Sequence, residues 1–494
     1  MLTTLPILSM LACSAMSGAA PEINVEAIDT LLSQYVEDEL YSGELLIALG
    51  DEILLHQRYG YRDWSTRAPL PERGIYKIGS VTKQFTAAAV LKLEEQGLLG
   101  TSDPIARHIP ELPRALTARD GQAVTIHHLV THTSGLPNPM YANIWGPEQG
   151  FDALLEALQG AQLRHAPGAE FHYNNTGYAI LGEIVGRAAG TSFELALRRA
   201  LWEPAGLRDT AIKLDQRQRA QQVLGHVSTV FSLVPSAQAF GRFVTGAYDW
   251  DLLANGNVSS SVLDLHRWVR ALQEGALFTP ARTAKMLTPA EHEYAYGWLE
   301  KRYEGLDEPL YWHNGAIIPF GYTADVGWTR ESRLIVINLC NVDDTAVPQN
   351  LFRNVMRIIA GAPVEPPRAG LAASGSYLTI QIMALALGTS LLALLLVLYL
   401  VWLLLLRRPR SRVQLYADAS VAVCSSVLVA VILQRWAGAL TLALAICLTV
   451  WACWRARDLP LLHTTAWKQW LSAAGNALSG VVALLIAAFV IWYF

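Results

Sequence analysis

Residues 377–406, YLTIQIMALALGTSLLALLLVLYLVWLLLL, contain no charged side chain. About 20 apolar helical residues cross a hydrocarbon core, and a backbone in lipid must satisfy its own hydrogen bonds. The run therefore predicts a transmembrane helix, and it divides the chain into two physical regimes. Three further apolar runs, at about residues 415–434, 437–454 and 470–494, extend this to an all-α transmembrane region of about four helices over 377–494. The loops RRPRSR (407–412) and RARDLP (455–460), with Lys468, hold most of its positive charge, and positive loops stay cytoplasmic. Four spans then place both the N-terminal region and the C-terminus outside. The expected location is the cytoplasmic (inner) membrane, with the N-terminal domain on its periplasmic or extracellular side and residues 377–494 contacting lipid.

The other end of the chain agrees with this topology. MLTTLPILSMLACSAMSGAA (1–20) is an apolar stretch ending in small residues, the pattern of a signal peptide cut near Ala19 or Ala20. No Lys or Arg precedes the apolar run, so an uncleaved anchor is the alternative. GAPVEPPRAGLAASGS (361–376), rich in Pro, Gly and Ala, reads as a linker. Residues 21–360 remain for one large domain of ordinary charge. Across all 494 residues the net charge is -4, too neutral for a nucleic-acid binder. Of the five cysteines only Cys340 falls in this domain, so no disulfide within it is available.

Within 21–360 the stretch IGSVTKQF (78–85) sets Ser80 and Lys83 three residues apart at the start of a helical pattern. Ser80 reads equally as an N-cap, accepting an orphan backbone N–H, with Lys83 as a solvated first-turn lysine. In the chemical reading, i and i+3 share a helix face, so an unprotonated amine could take the proton from Oγ. The helix N-terminus would also direct backbone N–H groups at a developing oxyanion. Spacing alone leaves both readings open.

GELLIALGDEILLHQRYGYRD (43–63) reads as a strand hairpin turning at Gly50-Asp51. LYWHNGAIIPFGYTADVGWTRESRLIVINLC (310–340) reads as three strands, broken at Gly315 and at residues 330–333. Strands at both ends with helices between them predict an α+β fold, one antiparallel sheet flanked by helices plus a helical lobe. The histidines of IHHLVTHTSGLPNP (126–139) lack metal-ligand spacing and read as structural. No cofactor and no metal are expected.

Six pieces in order carry a resemblance: Ser80-Val-Thr-Lys83, LVTHTSGLP (129–137), PGAEFHYNNTGYAILG (167–182), GNVSSSVLDLHRWVRAL (256–272), YGWLEKR (296–302) and HNGAIIPFGYTADV (313–326). They resemble the serine β-lactamase and penicillin-binding-protein superfamily, in its class C-like branch with the D-stereospecific peptidases and family VIII-type esterases. The resemblance covers nearly all of residues 24–360 and implies a β-lactamase-like fold. It implies Ser80 as acylated nucleophile, Lys83 as neighbouring base and Tyr173 as phenolic proton carrier. The backbone N–H groups of Ser80 and Ala316 would form the oxyanion hole. Asn175, His313 and Gly315 would bind substrate.

One departure bears on substrate. β-Lactamases of the superfamily usually carry Lys-Thr-Gly where this chain has His313-Asn314-Gly315. A histidine is at most partly charged near neutrality, so a carboxylate loses its strongest anchor. A class A-like glutamate motif after Tyr173 is also missing. The expectation is an exported, membrane-anchored serine hydrolase acting on a peptide, amide or ester. The alternatives are a precursor-maturation peptidase, a true β-lactamase, a lipid-facing esterase, or a non-catalytic peptidoglycan-sensing module.

Overall fold

In a computed structural model that describes residues 23–365, apart from 38–39, 139–149, 229–232, 236–253, 291, 318–320 and 343–345, the two ends of the domain meet in one sheet. The principal elements are α1 (Val25–Glu37), β1 (Gly43–Leu49), β2 (Glu52–Tyr59), β3 (Tyr76–Lys77), α2 (Thr82–Glu95) and α3 (Asn175–Ala189). They continue as β4 (Ser259–Ser260), α4 (Val262–Gln273), β5 (Leu299–Lys301), β6 (Leu310–Ile317), β7 (Tyr322–Trp328), β8 (Leu334–Cys340) and α5 (Ala346–Ile359). The sheet runs β5-β6-β7-β8-β1-β2, and every neighbouring pair is antiparallel. Its middle seam pairs Gly43 with Cys340 through to Leu49 with Leu334, so the N-terminal strand closes the C-terminal meander.

Side-chain alternation explains the layers. Leu45 and Ile47 of β1 join Leu334 and Val336 of β8 in a cluster with Ile28 and Leu32 of α1 and Val355 and Met356 of α5. Leu46 and Ala48 join Ile335, Ile337 and Leu339 in the larger cluster on the opposite face, with Phe85 and Trp268. Period-two strands buried on both faces give near-continuous apolar runs, as GELLIAL and LIVINLC do. The centre of the larger cluster is α2, buried at every position from Thr82 to Leu91. A helix covered all round needs small or apolar residues on every face, which the run TAAAVL (86–91) supplies.

The hairpin turns where the sequence predicts, with Gly50 at φ 60° between β1 and β2. The expectation for Gly315 is corrected: β6 passes straight through it and ends at Ile317. Its glycine serves close approach to another backbone segment rather than a turn, as the site geometry below makes plain. Among the described residues no helix is long and apolar enough to cross a membrane. The expected signal peptide at 1–20 and spans at 377–494 lie outside the described residues, as do residues 366–376 of the expected linker. The chain divides into two units, Met1–Ser376 and Tyr377–Phe494, and all described residues belong to the first.

Candidate active site

Ser80 is the middle residue of a 3-10 turn, Gly79–Val81, that leads into α2. Neither this turn nor α2 has a side-chain cap, so Ser80 is not used as an N-cap. Its Oγ instead lies 3.1 Å from Lys83 Nζ. Lys83 is wholly buried, and its amine donates to the carbonyl oxygen of Asn255 at 2.8 Å. Burial with no carboxylate partner pushes the ammonium pKa well below the usual lysine range. Burial thus disfavours the charged ammonium, and the nitrogen is held by the Asn255 carbonyl while lying at hydrogen-bond distance from Ser80 Oγ.

Tyr173 enters from the segment preceding α3. Its ring centroid is 4.8 Å from Lys83 Nζ, and the residue is 40% exposed. Aromatic rings surround this pair: His132 is 4.3 Å and Tyr294 6.2 Å from the Tyr173 ring, centroid to centroid, and His313 is 6.3 Å away. Asn174 caps α3, accepting from the Gly177 N–H at 2.8 Å and donating to the Leu136 carbonyl at 2.6 Å. Asn175 follows as the first helical residue, with its carbonyl accepting from Asn255 Nδ2 at 3.3 Å. The Asn175 Oδ1 is buried and has no hydrogen-bond partner among the described residues.

The other wall is β6. A Cβ on Gly315 would lie 2.0 Å from the Ile78 carbonyl oxygen and 2.9 Å from the Ser80 nitrogen. Conversely, a Cβ on Gly79, whose φ is +52°, would lie 2.7 Å from the Ala316 nitrogen. Two glycines thus let the Ile78–Ser80 backbone and the Gly315–Ala316 backbone approach closely, which side chains at either position would prevent.

His313 is 1% exposed and fully bonded: its Nδ1 donates to the Asn314 carbonyl at 2.6 Å, and its Nε2 accepts from the Tyr294 hydroxyl at 3.1 Å. Burial, with Lys83 nearby, pushes its pKa down to about 3. His313 is a neutral hydrogen-bonded ring, lacking the cation that a lysine would bring. Among the described residues no group of three or more His, Cys, Asp or Glu is placed to hold a metal ion.

Sequence reasoning missed two members of the site. Asn255 acts through a backbone carbonyl, which carries no residue-type signal, and Tyr294 lies between the recognisable pieces with nothing local to mark it. It did bring Ser80, Lys83, Tyr173, His313, Gly315 and Ala316 into one neighbourhood.

Comparisons with known proteins agree with this architecture. A family model described as Beta-lactamase matches residues 28–357. Penicillin-binding protein 4* of Bacillus subtilis (strain 168) is 27% identical over 362 residues, covering 69% of this chain and 77% of the relative. Among solved structures, the octameric penicillin-binding protein homologue from Pyrococcus abyssi superposes with a TM-score of 0.61 at 25% identity, over 70% of this chain and 79% of that one. The D-amino acid amidase from Ochrobactrum anthropi SV3, complexed with D-phenylalanine, gives 0.57 at 21% identity, over 68% and 99%. The last likeness is one of fold.

Proposed function

The chain belongs to the Beta-lactamase family, as a serine hydrolase of the β-lactamase and penicillin-binding-protein superfamily, and on that premise we propose that it works through a Ser80 acyl-enzyme. The observation that carries this reading is the buried Lys83 amine 3.1 Å from Ser80 Oγ, where desolvation lowers its pKa. In the proposed reaction Lys83 removes the Ser80 proton as Oγ attacks the carbonyl carbon of an amide, peptide or ester. The C=O oxygen becomes an oxyanion facing the backbone N–H groups of Ser80 and Ala316, and preorganised donors at that point stabilise the transition state. Tyr173, beside Lys83, gives its hydroxyl proton to the departing amine or alcohol and takes back from Lys83 the proton that came from Ser80, leaving phenol and amine as they began. A water molecule then cleaves the acyl ester by the reverse proton path, returning Ser80 to its hydroxyl form. Asn175 is assigned to the substrate amide or carbonyl by its place in the Tyr-Asn-Asn segment.

The substrate class follows from His313. A neutral ring held by Tyr294 gives a substrate carboxylate no charge partner, which supports amide, peptide or ester chemistry with slow turnover of carboxylate-bearing β-lactams. The class C-like branch is the proposed affiliation, supported by a tyrosine at the lysine and by the shared fold of a D-amino acid amidase. The apolar runs of 377–494, the positive loops between them and the apolar N-terminus support an exported enzyme tethered to the inner membrane, with its cleft on the outer side. Fluorophosphonate labelling tests the reaction. Wild type should be labelled and Ser80→Ala should not; equal labelling of both would remove the proposal.

A further inference from the structure

His132 is the residue of the cleft whose situation the proposed chemistry does not explain. It is 1% exposed, and it is a non-glycine residue held at φ 59°, a left-handed conformation that costs an L side chain free energy. Its Nδ1 accepts the backbone N–H of Asn174 at 3.0 Å, so the neutral ring carries its proton on Nε2. That Nε2 has no hydrogen-bond partner among the described residues. A buried donor without an acceptor is a further cost that an apolar side chain would avoid. Strain and an orphaned donor at one buried position are what functional constraint leaves in a structure.

The ring sits among the phenols. Its centroid is 4.3 Å from that of Tyr173, 4.6 Å from Tyr294 and 5.0 Å from Tyr178. It therefore meets Tyr173 in two ways, by a tilted ring contact at 38° and by anchoring the next backbone N–H in the chain. Tyr173 itself is 40% exposed, whereas His132 is buried, so His132 forms a buried wall beside the phenol. Burial and the nearness of Lys83 and His313 hold the His132 pKa well below the usual histidine range. With that wall neutral, Lys83, near both Ser80 and Tyr173, is left as the nitrogen that the proposed proton transfer uses.

We infer that His132 is a positioning residue that fixes the Tyr173 ring beside Lys83, through ring contact and through the Nδ1 bond to the Asn174 backbone. The inference rests on the Ser80 hydrolase reading and adds to it the element that holds the proton carrier in register. It makes His132 part of the rate-determining geometry and not of the substrate contact.

A double-variant cycle tests it on the full chain, with p-nitrophenyl butyrate as substrate and rates expressed per fluorophosphonate-labelled site. His132→Asn keeps an acceptor at the Nδ1 position and tolerates the left-handed backbone, but removes the ring. It is expected to hold KM within about threefold while kcat falls at least about tenfold. Combined with Tyr173→Phe, the two losses should come to less than their product, because each removes the same arrangement. Losses that multiply, or an unchanged kcat, would overturn the inference. His132→Phe, which keeps the ring and drops the acceptor, carries the same cycle with the same two outcomes if the asparagine variant does not fold. Failure of the hydrolase reading is distinguishable, because wild type would then be silent and labelled no more than Ser80→Ala, and this proposal would fall with it.

Discussion

Gly315 and Ser80 touch through backbone alone: a methyl group added to Gly315 would stand 2.9 Å from the Ser80 nitrogen and 2.0 Å from the carbonyl oxygen two residues before it. The approach places strand β6 against the turn that carries Ser80, which is where the proposed oxyanion site would lie.

Gly315→Ala is accordingly expected to push β6 away from that turn. Overpacking of this kind costs about 1–3 kcal/mol, and loss of oxyanion donors costs about 100- to 1,000-fold in turnover. Thermal melting monitored by circular dichroism should show a moderate loss of stability, while ester turnover per folded molecule falls far more. A variant that keeps wild-type turnover would show that the contact does not build the oxyanion site.

Lys83→Arg separates charge from basicity. The guanidinium cannot be deprotonated, so it retains a cation where the chemistry asks for a lone pair. Acylation by p-nitrophenyl esters should fall by about 100- to 10,000-fold, the usual weight of a general base. In wild type, the depressed pKa of the buried amine should place the acid limb of kcat/KM well below the usual lysine range. A rate that climbs only toward that range would show that the amine rests protonated.

Substrate charge provides the third expectation. With His313 neutral, a p-nitrophenyl ester of an uncharged acyl chain should exceed its ω-carboxylate analogue of similar length by about tenfold or more in kcat/KM, about 1.4 kcal/mol of binding preference. A preference for the carboxylate ester would show that the cleft offers the carboxylate a cation and would overturn this expectation.

What the sequence made legible follows from what each residue type advertises. Apolar alternation in GELLIAL and LIVINLC announced two strands of the sheet, and an order of six short pieces located the cleft. Glycine was legible as a residue but ambiguous in purpose: Gly50 turns the chain, whereas Gly315 lies mid-strand and yields space to a distant backbone. Polar roles set by distant partners were least visible. His313 could have been a half-charged anchor, and only the Tyr294 hydroxyl at 3.1 Å and the surrounding burial make it a neutral ring. Asn174 and Asn175 are adjacent and identical in type, yet one caps α3 and the other is its first residue. His132 read as structural because its strain and unpaired nitrogen exist only in three dimensions.

The far face of the sheet carries a stability prediction independent of the cleft. Asp325 of β7 is 1% exposed; its Oδ1 accepts from Trp312 Nε1 at 3.2 Å and its Oδ2 from Asn338 Nδ2 at 3.4 Å, while Asn338 Oδ1 accepts from the Tyr41 hydroxyl. Burial outweighs these two bonds and lifts its pKa from 3.8 to about 7. A carboxyl whose pKa is raised on folding binds its proton more tightly in the native state, so its contribution is fully present below 3.8 and is lost as pH rises to about 7. The scale is on the order of a few kcal/mol for a shift of this size. His132 and His313, whose pKa values are lowered on folding, act oppositely and destabilise as pH falls below the usual histidine value. Both are common to wild type and Asp325→Asn, so the difference between the two proteins isolates the carboxyl. Urea unfolding across this range should show wild type losing stability relative to Asp325→Asn as pH rises toward 7, and parallel curves would mean that Asp325 ionises in the native state at little cost.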